Sequence, residues 1–284
     1  LQFPLTPSLF IASILAGLLG SLTGLGGGVV IIPVLVLLFS VDMRYAIGAS
    51  LVAVIATSSG SAAAYVREGF TNIRIAMLLE VATTTGALLG AILAAYTPVS
   101  TISIIFGLVL LYTALSSIRT PKPHPLDQQP DQLATRLRLN GTWPVKNSDG
   151  STRLEPYFPR HIPAGFAIML GAGMLSALVG IGSGIVKVFA MDRLMRLPFK
   201  VSTTTSNFMI GVTAAASAGV YFHRGQIDPR IAAPVAIGAL CGSFLGAKIL
   251  PHAKVKTLRV IFAIIVAIAG TQMLMKGLNT TPNP

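Results

Sequence analysis

The most unusual chemistry in this sequence is a lysine inside an apolar run. Lys187 follows Gly184 by three positions within Ile185–Met191. A lysine in a membrane-spanning stretch costs roughly 2.5–3.5 kcal/mol on insertion scales, so it usually faces a cavity, a partner or a ligand. Its charge suits an anion; alternatively its stem snorkels to an interface, which Asp192 and Arg193 mark just beyond. Immediately before it, Gly180-Ile181-Gly182-Ser183-Gly184 breaks the apolar run, as Gly24-Leu25-Gly26-Gly27-Gly28 breaks an earlier one. Backbone groups freed by a broken helix cannot face lipid and must be buried in protein or used on a ligand. Glycine allows the close approach this needs. Helices restarting at Val29 and Ile185 would turn their partly positive ends towards the loops, where an anion is stabilised. Gly24, Gly26, Gly27, Gly28, Gly180, Gly182, Ser183, Gly184 and Lys187 are therefore candidate substrate-binding residues. The plainer use of such glycines is tight helix packing. Neither stretch continues into Gly-Lys-Ser/Thr, so a phosphate loop is a poor fit.

Other polar residues interrupt apolar sequence. The run Ser202–Thr205 is followed by Ser206 and Asn207, and Ser50 aligns with Ser206 across the repeat described below. Ser50, Ser206 and Asn207 could coordinate oxyanion oxygens, or serve as hydrogen-bonding glue between helices. Glu80 lies several residues into an apolar run and could carry a coupling proton, or pair at an interface with Arg74 or another base. Thr83–Thr85 reads as helix-packing polarity. His223 and Asp228 lack the further ligand that a metal site needs and read as loop residues. One cysteine, Cys241, excludes an intramolecular disulfide and a cysteine-cluster metal site; it reads as a small core residue. No cofactor is expected.

The elements that would hold these residues follow from composition. The chain is 53% hydrophobic and only 11% charged, with a mean hydropathy of +0.75, against about 25% charged in a soluble domain. Leu9–Phe39, Ala46–Val66, Ile75–Tyr96, Thr101–Ile118 and Val260–Met275 are apolar stretches near the roughly 20 residues that span a bilayer. The net charge of +12 is spread over short loops rather than gathered in a stripe, which argues against nucleic-acid binding. The first apolar run has no basic region before it and is interrupted by glycines, unlike a cleaved signal peptide.

Shifted by 156 residues, the chain matches itself. Gly24, Gly26 and Gly28 meet Gly180, Gly182 and Gly184; Tyr65, Gly69 and Arg74 meet Tyr221, Gly225 and Arg230; Gly86 and Gly90 meet Gly242 and Gly246. Between the halves, residues 120–161 are rich in proline, charge and turn signals, and read as a solvent-exposed linker with one short amphipathic helix near Gln132–Leu139. The expected division is a membrane repeat over 1–119, the linker over 120–161 and a second membrane repeat over 162–284.

Each half opens with a glycine-broken run, Ser8–Thr23 then Val29–Phe39, and Ala164–Val179 then Ile185–Met191. Some of these arms are too short to span. A hairpin that dips in and out, followed by three spans, gives an odd number of crossings and an inverted second half. One side then receives Arg67, Arg74, the linker's basic residues, Arg193, Arg196, Lys200, Lys248, Lys254, Lys256 and Arg259. The other receives Arg44, Arg224, Arg230 and Lys276. The positive-inside rule therefore predicts a cytoplasmic linker and both termini outside. Paired broken segments in inverted repeats are the best sequence pointer to a secondary transporter's site.

At the two hairpins the sequence resembles the TauE/SafE family of sulfite exporters, also called the toluene sulfonate uptake permease family. The resemblance rests on Gly24-Leu25-Gly26-Gly27-Gly28 with Pro33, and on Gly180-Ile181-Gly182-Ser183-Gly184 with Lys187 and Thr205-Ser206-Asn207-Phe208-Met209-Ile210-Gly211-Val212. It covers both halves and leaves out only the linker. Ser183 stands where the family usually has a third glycine, and Phe189 where the first half has Pro33. The resemblance implies a secondary transporter of sulfite, sulfoacetate or related small sulfur-containing anions and organic acids.

The expectation is an all-α integral membrane protein of two inverted-topology repeats, each a glycine-broken helical hairpin plus three transmembrane helices, in a bacterial-type inner membrane. It would export a small anion, sulfite or an organosulfonate, by alternating access around a midplane site. The rival readings are an anion channel using the same residues and an intramembrane enzyme, for which no paired nucleophile and base or metal cluster is found. The lipid bilayer is the expected surrounding, a proton a candidate co-substrate, and a homodimer is left open.

Overall fold

The computed structural model describes residues 5–23, 27–67, 71–118, 131–146, 152–249 and 255–279. Gly24 and Gly26, and most of the proline-rich part of the linker, lie outside them. Each half begins with a helix that stops at its glycines. In the first half, α1 (Leu5–Thr23) is followed by α2 (Gly28–Pro33), which runs on through a π turn, Val34–Leu38. Three long helices follow: α3 (Met43–Arg67), α4 (Ile73–Tyr96) and α5 (Val99–Ile118). The linker forms α6 (Gln132–Arg136) and a hairpin, β1 (Gly141–Lys146) and β2 (Thr152–Tyr157). The second half repeats the first: α7 (Ile162–Val179), α8 (Gly184–Phe189) with the π turn Ala190–Leu194, then α9 (Phe199–His223), α10 (Pro229–Ile249) and α11 (Val255–Asn279).

The bounds of α2, its π turn and α3 recur at the same 156-residue shift in α8, its π turn and α9. Pro33 cannot be what produces the π turn, because Phe189 at the equivalent place is followed by the same one.

The packing is reciprocal between halves. Helix α1 lies on α10 and its counterpart α7 lies on α4, while α3 packs on α9 and α5 on α11. Glycines set these contacts. A Cβ at Gly86 would fall on the carbonyl oxygen of Leu170, and one at Gly242 would fall on that of Ile14, the residue equivalent to Leu170. Gly173 stands in the same way against Thr83, and Gly17 against Ala239. Helix backbones in apolar surroundings associate through such small residues, since lipid offers no hydrophobic penalty to avoid.

The bundle is apolar outside and partly polar inside. Ile92, Leu108, Leu115, Ile264 and Ile268 are exposed, whereas Ser50, Glu80, Lys187 and Thr213 are buried. Among the described residues α4, α5, α7 and α11 are each long and apolar enough to cross a membrane. Helix α7 was expected to be only a hairpin arm. Helices α3 and α9, expected as full spans, are 25 residues long, but their hydroxyl and glycine content lowers their hydropathy and they meet each other between the halves. Cys241 is exposed on α10, not a core residue as expected; an apolar run does not say which of its faces meets lipid.

The linker's folded part is not a bare solvent-exposed tether. Helix α6 falls inside the predicted stretch, while the hairpin has Pro144 and Pro156 in its strands. A two-stranded ribbon tolerates them because both strands are edges. Ala134, Leu139 and Tyr157 bury with Ile75, Leu79, Met191 and Met195 in one apolar cluster. Asn72, the residue that caps α4 by accepting from the Ile75 N–H, donates from its amide to Tyr157 Oη at 2.8 Å and to the Leu139 carbonyl at 3.1 Å. Burial raises the Tyr157 phenol above its ordinary value of 10.0, only partly offset by the Asn72 hydrogen bond. A raised phenol favours the docked state fully below its unfolded pKa, and that contribution is lost as pH rises through the folded value. The fluorescence of Trp143, the sole tryptophan, should therefore report loosening of the hairpin above about pH 10, and Tyr157→Phe should remove that step.

Candidate functional site

The start of α2 meets the second glycine-rich tip inside the bundle. Gly28, the first residue of α2, is so close to the other tip that a Cβ there would lie 2.7 Å from Ser50 Oγ and 2.9 Å from the Gly180 carbonyl oxygen. Ser50 Oγ donates to that carbonyl at 2.9 Å across the halves. Ser206 Oγ, its repeat counterpart, donates to the Gly184 carbonyl at 3.3 Å. Ser50 thus holds a carbonyl freed at the C-terminal end of α7, and Ser206 adds a bond to the carbonyl of the first residue of α8, both using the hydrogens predicted for an oxyanion. Asn207 is half-buried, and its side chain makes no hydrogen bond among the described residues.

The second tip turns through left-handed backbone at Gly180 (φ 71°), Gly182 (φ 77°) and Ser183 (φ 48°). Glycine adopts this freely; serine does so at a cost of about 1–3 kcal/mol, and such residues concentrate at functional sites. Gly27, equivalent to Ser183, is instead in ordinary helical geometry at φ −66° and accepts from the Val30 and Ile31 N–H groups. Beside the second tip lies a small, partly open and mainly apolar cleft, lined among others by Val29, Tyr112, Thr113, Ser176, Ser183 and Val186. The hydroxyls of Ser176 and Ser183 are buried there without a hydrogen-bond partner.

Lys187 is on α8, fully buried, and does not snorkel. Its Nζ donates to Thr213 Oγ1 of α9 at 2.5 Å. The Thr213 hydroxyl donates in turn to Glu80 Oε1 of α4 at 2.7 Å, and Thr84 donates to the same carboxylate oxygen at 3.1 Å. Glu80 Oε2 is buried and unpartnered. The structure therefore brings together Lys187 and Glu80, which the sequence treats separately, and joins them through a threonine. Glu80 is not paired with Arg74, whose guanidinium donates to the Arg138 carbonyl at the linker. Thr83 and Thr84, expected only to pack helices, belong to this group, Thr83 being 3.4 Å from Thr213. His223 ends α9, and Asp228 caps α10 by accepting from the Arg230 N–H.

Sequence reasoning missed Thr213, Ser176 and the threonines of α4. A usable signal was present for the first: Lys187 and Glu80 are ionisable residues inside apolar runs, and buried charges need a named partner.

The repeat makes this cluster one-sided. Ile31 stands in place of Lys187, Ala236 in place of Glu80 and Ala239 in place of Thr83. Thr57, equivalent to Thr213, bonds the Ala53 carbonyl of its own helix.

Full-length relatives of this chain bear the names of membrane transporters. The chain is 28% identical over 95% of its length to a probable membrane transporter protein of Bacillus subtilis (strain 168), YunE, covering 97% of that protein. It is 26% identical, again over 95% of its length, to a probable membrane transporter protein of Methanocaldococcus jannaschii, covering 96% of it. No solved structure matches. Apolar helices of spanning length and these full-length relatives make the chain a multi-pass membrane protein. The sequence pattern of one family matches residues 9–273, from the first broken helix to the last helix of the second half, and by that match the chain belongs to the sulfite exporter TauE/SafE family.

Proposed function

We propose that this protein is a secondary transporter of a small sulfur-containing or organic anion, with sulfite and simple organosulfonates as its first candidate substrates and export as its direction. The observation that carries the reading is the meeting of two broken helices deep in an apolar bundle, with a cleft beside the meeting point. Family membership and the transporter names of the relatives support it. In this reading the two halves are inverted in a bacterial-type inner membrane, the linker is cytoplasmic and both termini are outside, in line with the distribution of lysine and arginine. Rocking of one half against the other across the α1–α10 and α4–α7 contacts would expose the tips to each side in turn.

The anion-binding set proposed here is centred on the second tip. Ser183 and Ser176 offer unspent hydroxyls to the cleft, whereas Ser50 and Ser206 brace the tips from behind. Lys187, buried behind the cleft rather than lining it, would supply the positive charge once the halves move.

Proteoliposomes preloaded with unlabelled sulfite should accumulate labelled sulfite by saturable counterflow, and alkanesulfonates should compete. A channel would pass the anion without acceleration from the far side. Absence of counterflow with every anion of the panel, in folded protein, would sink the transport reading.

A further inference from the structure

The Lys187–Thr213–Glu80 chain has the form of a switch. Lys187 has no exposed surface, and its charge is already neutralised, through one hydroxyl, by a carboxylate 2.7 Å beyond that hydroxyl. An incoming anion therefore competes with Glu80 for the same cation. Two negative groups cannot both be held at one buried cation without a large electrostatic cost. One of Glu80's two oxygens, Oε1, accepts from Thr213 and Thr84, while Oε2 is buried with nothing bonded to it. Oε2 is the atom free to take a proton.

We propose that Thr213 couples Glu80 and Lys187 into one switchable charge pair, so that an anion gains the lysine only as Glu80 takes up a proton. This rests on the anion-transport reading above and deepens it: the coupling ion is a proton, the stoichiometry is one, and Thr213 is the positioning residue. The balance is simple. A proton from solution bonds to Glu80 Oε2, the carboxylate becomes a neutral acid, and the Lys187 ammonium keeps its charge and turns its hydrogen bonds to the anion. For a monoanion the loaded site then carries the same net charge as the empty one.

The neighbouring elements leave few other groups to do this. Helix α7 has no ionisable side chain, α4 carries Arg74 and Tyr96 at its ends as well as Glu80, α9 carries Lys200, Tyr221 and His223 only near its ends, and α3, packed on α9, carries Arg44, Tyr45, Tyr65 and Arg67 near its own ends. Asp192 and Arg193, in the π turn after α8, pair with each other at 3.6 Å. The repeat-equivalent positions of Glu80 and Lys187 are Ala236 and Ile31, so the second half-site cannot supply a second proton.

Linkage fixes the outcome. If one proton binds with each anion, apparent anion affinity rises about tenfold for each unit fall in pH while Glu80 is ionised, and anion binding draws protons in return. The probe is methanesulfonate, which stays a monoanion across the range, unlike sulfite, beside sulfite itself in counterflow. Wild-type protein in weakly buffered detergent should take up about one proton per methanesulfonate bound. Glu80→Gln should bind with no pH slope and no proton uptake. Thr213→Val should lose most of the slope, and Thr213→Ser should restore it. A merely structural threonine would change stability and leave the slope alone. Binding and counterflow by wild type with a flat pH profile would overturn this inference while leaving transport standing. A pH slope retained in a folded Glu80→Gln or Thr213→Val protein would overturn it equally. If wild type moves neither anion, the transport reading falls and this inference falls with it.

Discussion

Lys187→Met should destabilise the folded protein by about 3–5 kcal/mol, because it leaves Glu80 buried without its counter-charge. Glu80→Leu should be comparably costly, since it strands the lysine instead. The double variant Lys187→Met/Glu80→Leu should recover most of either loss, as buried ion pairs replaced by apolar side chains of similar size are often neutral or stabilising. Thermal unfolding in detergent, arranged as a double-mutant cycle, measures this. Among the described residues the Lys187 and Glu80 side chains are joined through Thr213, so a strongly non-additive cycle is the signature of that bridge. Simple addition of the two losses would mean that the chain of hydrogen bonds carries no energy between its ends.

The second large effect concerns the helix contacts between the halves. Gly86→Ala and Gly242→Ala should each cost about 1–3 kcal/mol from overpacking, because the new methyl meets a backbone carbonyl, of Leu170 or Ile14, that cannot step aside as a side chain would. The equivalence of the two sites predicts losses of similar size. Gly171 and Gly219 provide the control. Each lies in a helix with nothing near enough to meet an added Cβ, so alanine there should be neutral, or stabilising by roughly 0.5–1 kcal/mol through helix propensity. Equal losses at all four positions would show that glycine flexibility, not close packing, is what the bundle needs.

Much of this arrangement was legible in the sequence for a physical reason. Glycines that allow helices to touch, or that end a helix, leave a pattern, and here the pattern occurs twice. That pattern located both breaks and the equivalence of Ser50 with Ser206. It could not say which way those hydroxyls donate, and they turn out to hold Gly180 and Gly184 carbonyls. Nor could hydropathy separate the face of a helix that meets lipid from the one that meets protein, since both are apolar; Cys241 was misplaced for that reason. The docked hairpin was hidden by its prolines, and Thr213 by being one hydroxyl among many, with Glu80 133 residues away in the chain.

The one-sidedness of the charged cluster has a consequence for how such a molecule could arise. Two identical halves assembled as separate chains would have to place the same residues at both tips, burying either two cations and two carboxylates or none. Joining the halves in one polypeptide frees each copy to drift alone. With isoleucine at position 31 and alanine at position 236, the first half-site lacks the buried charges that Lys187 and Glu80 place at the second. The cost of burying charge is thereby roughly halved, and a repeated scaffold becomes chemically asymmetric.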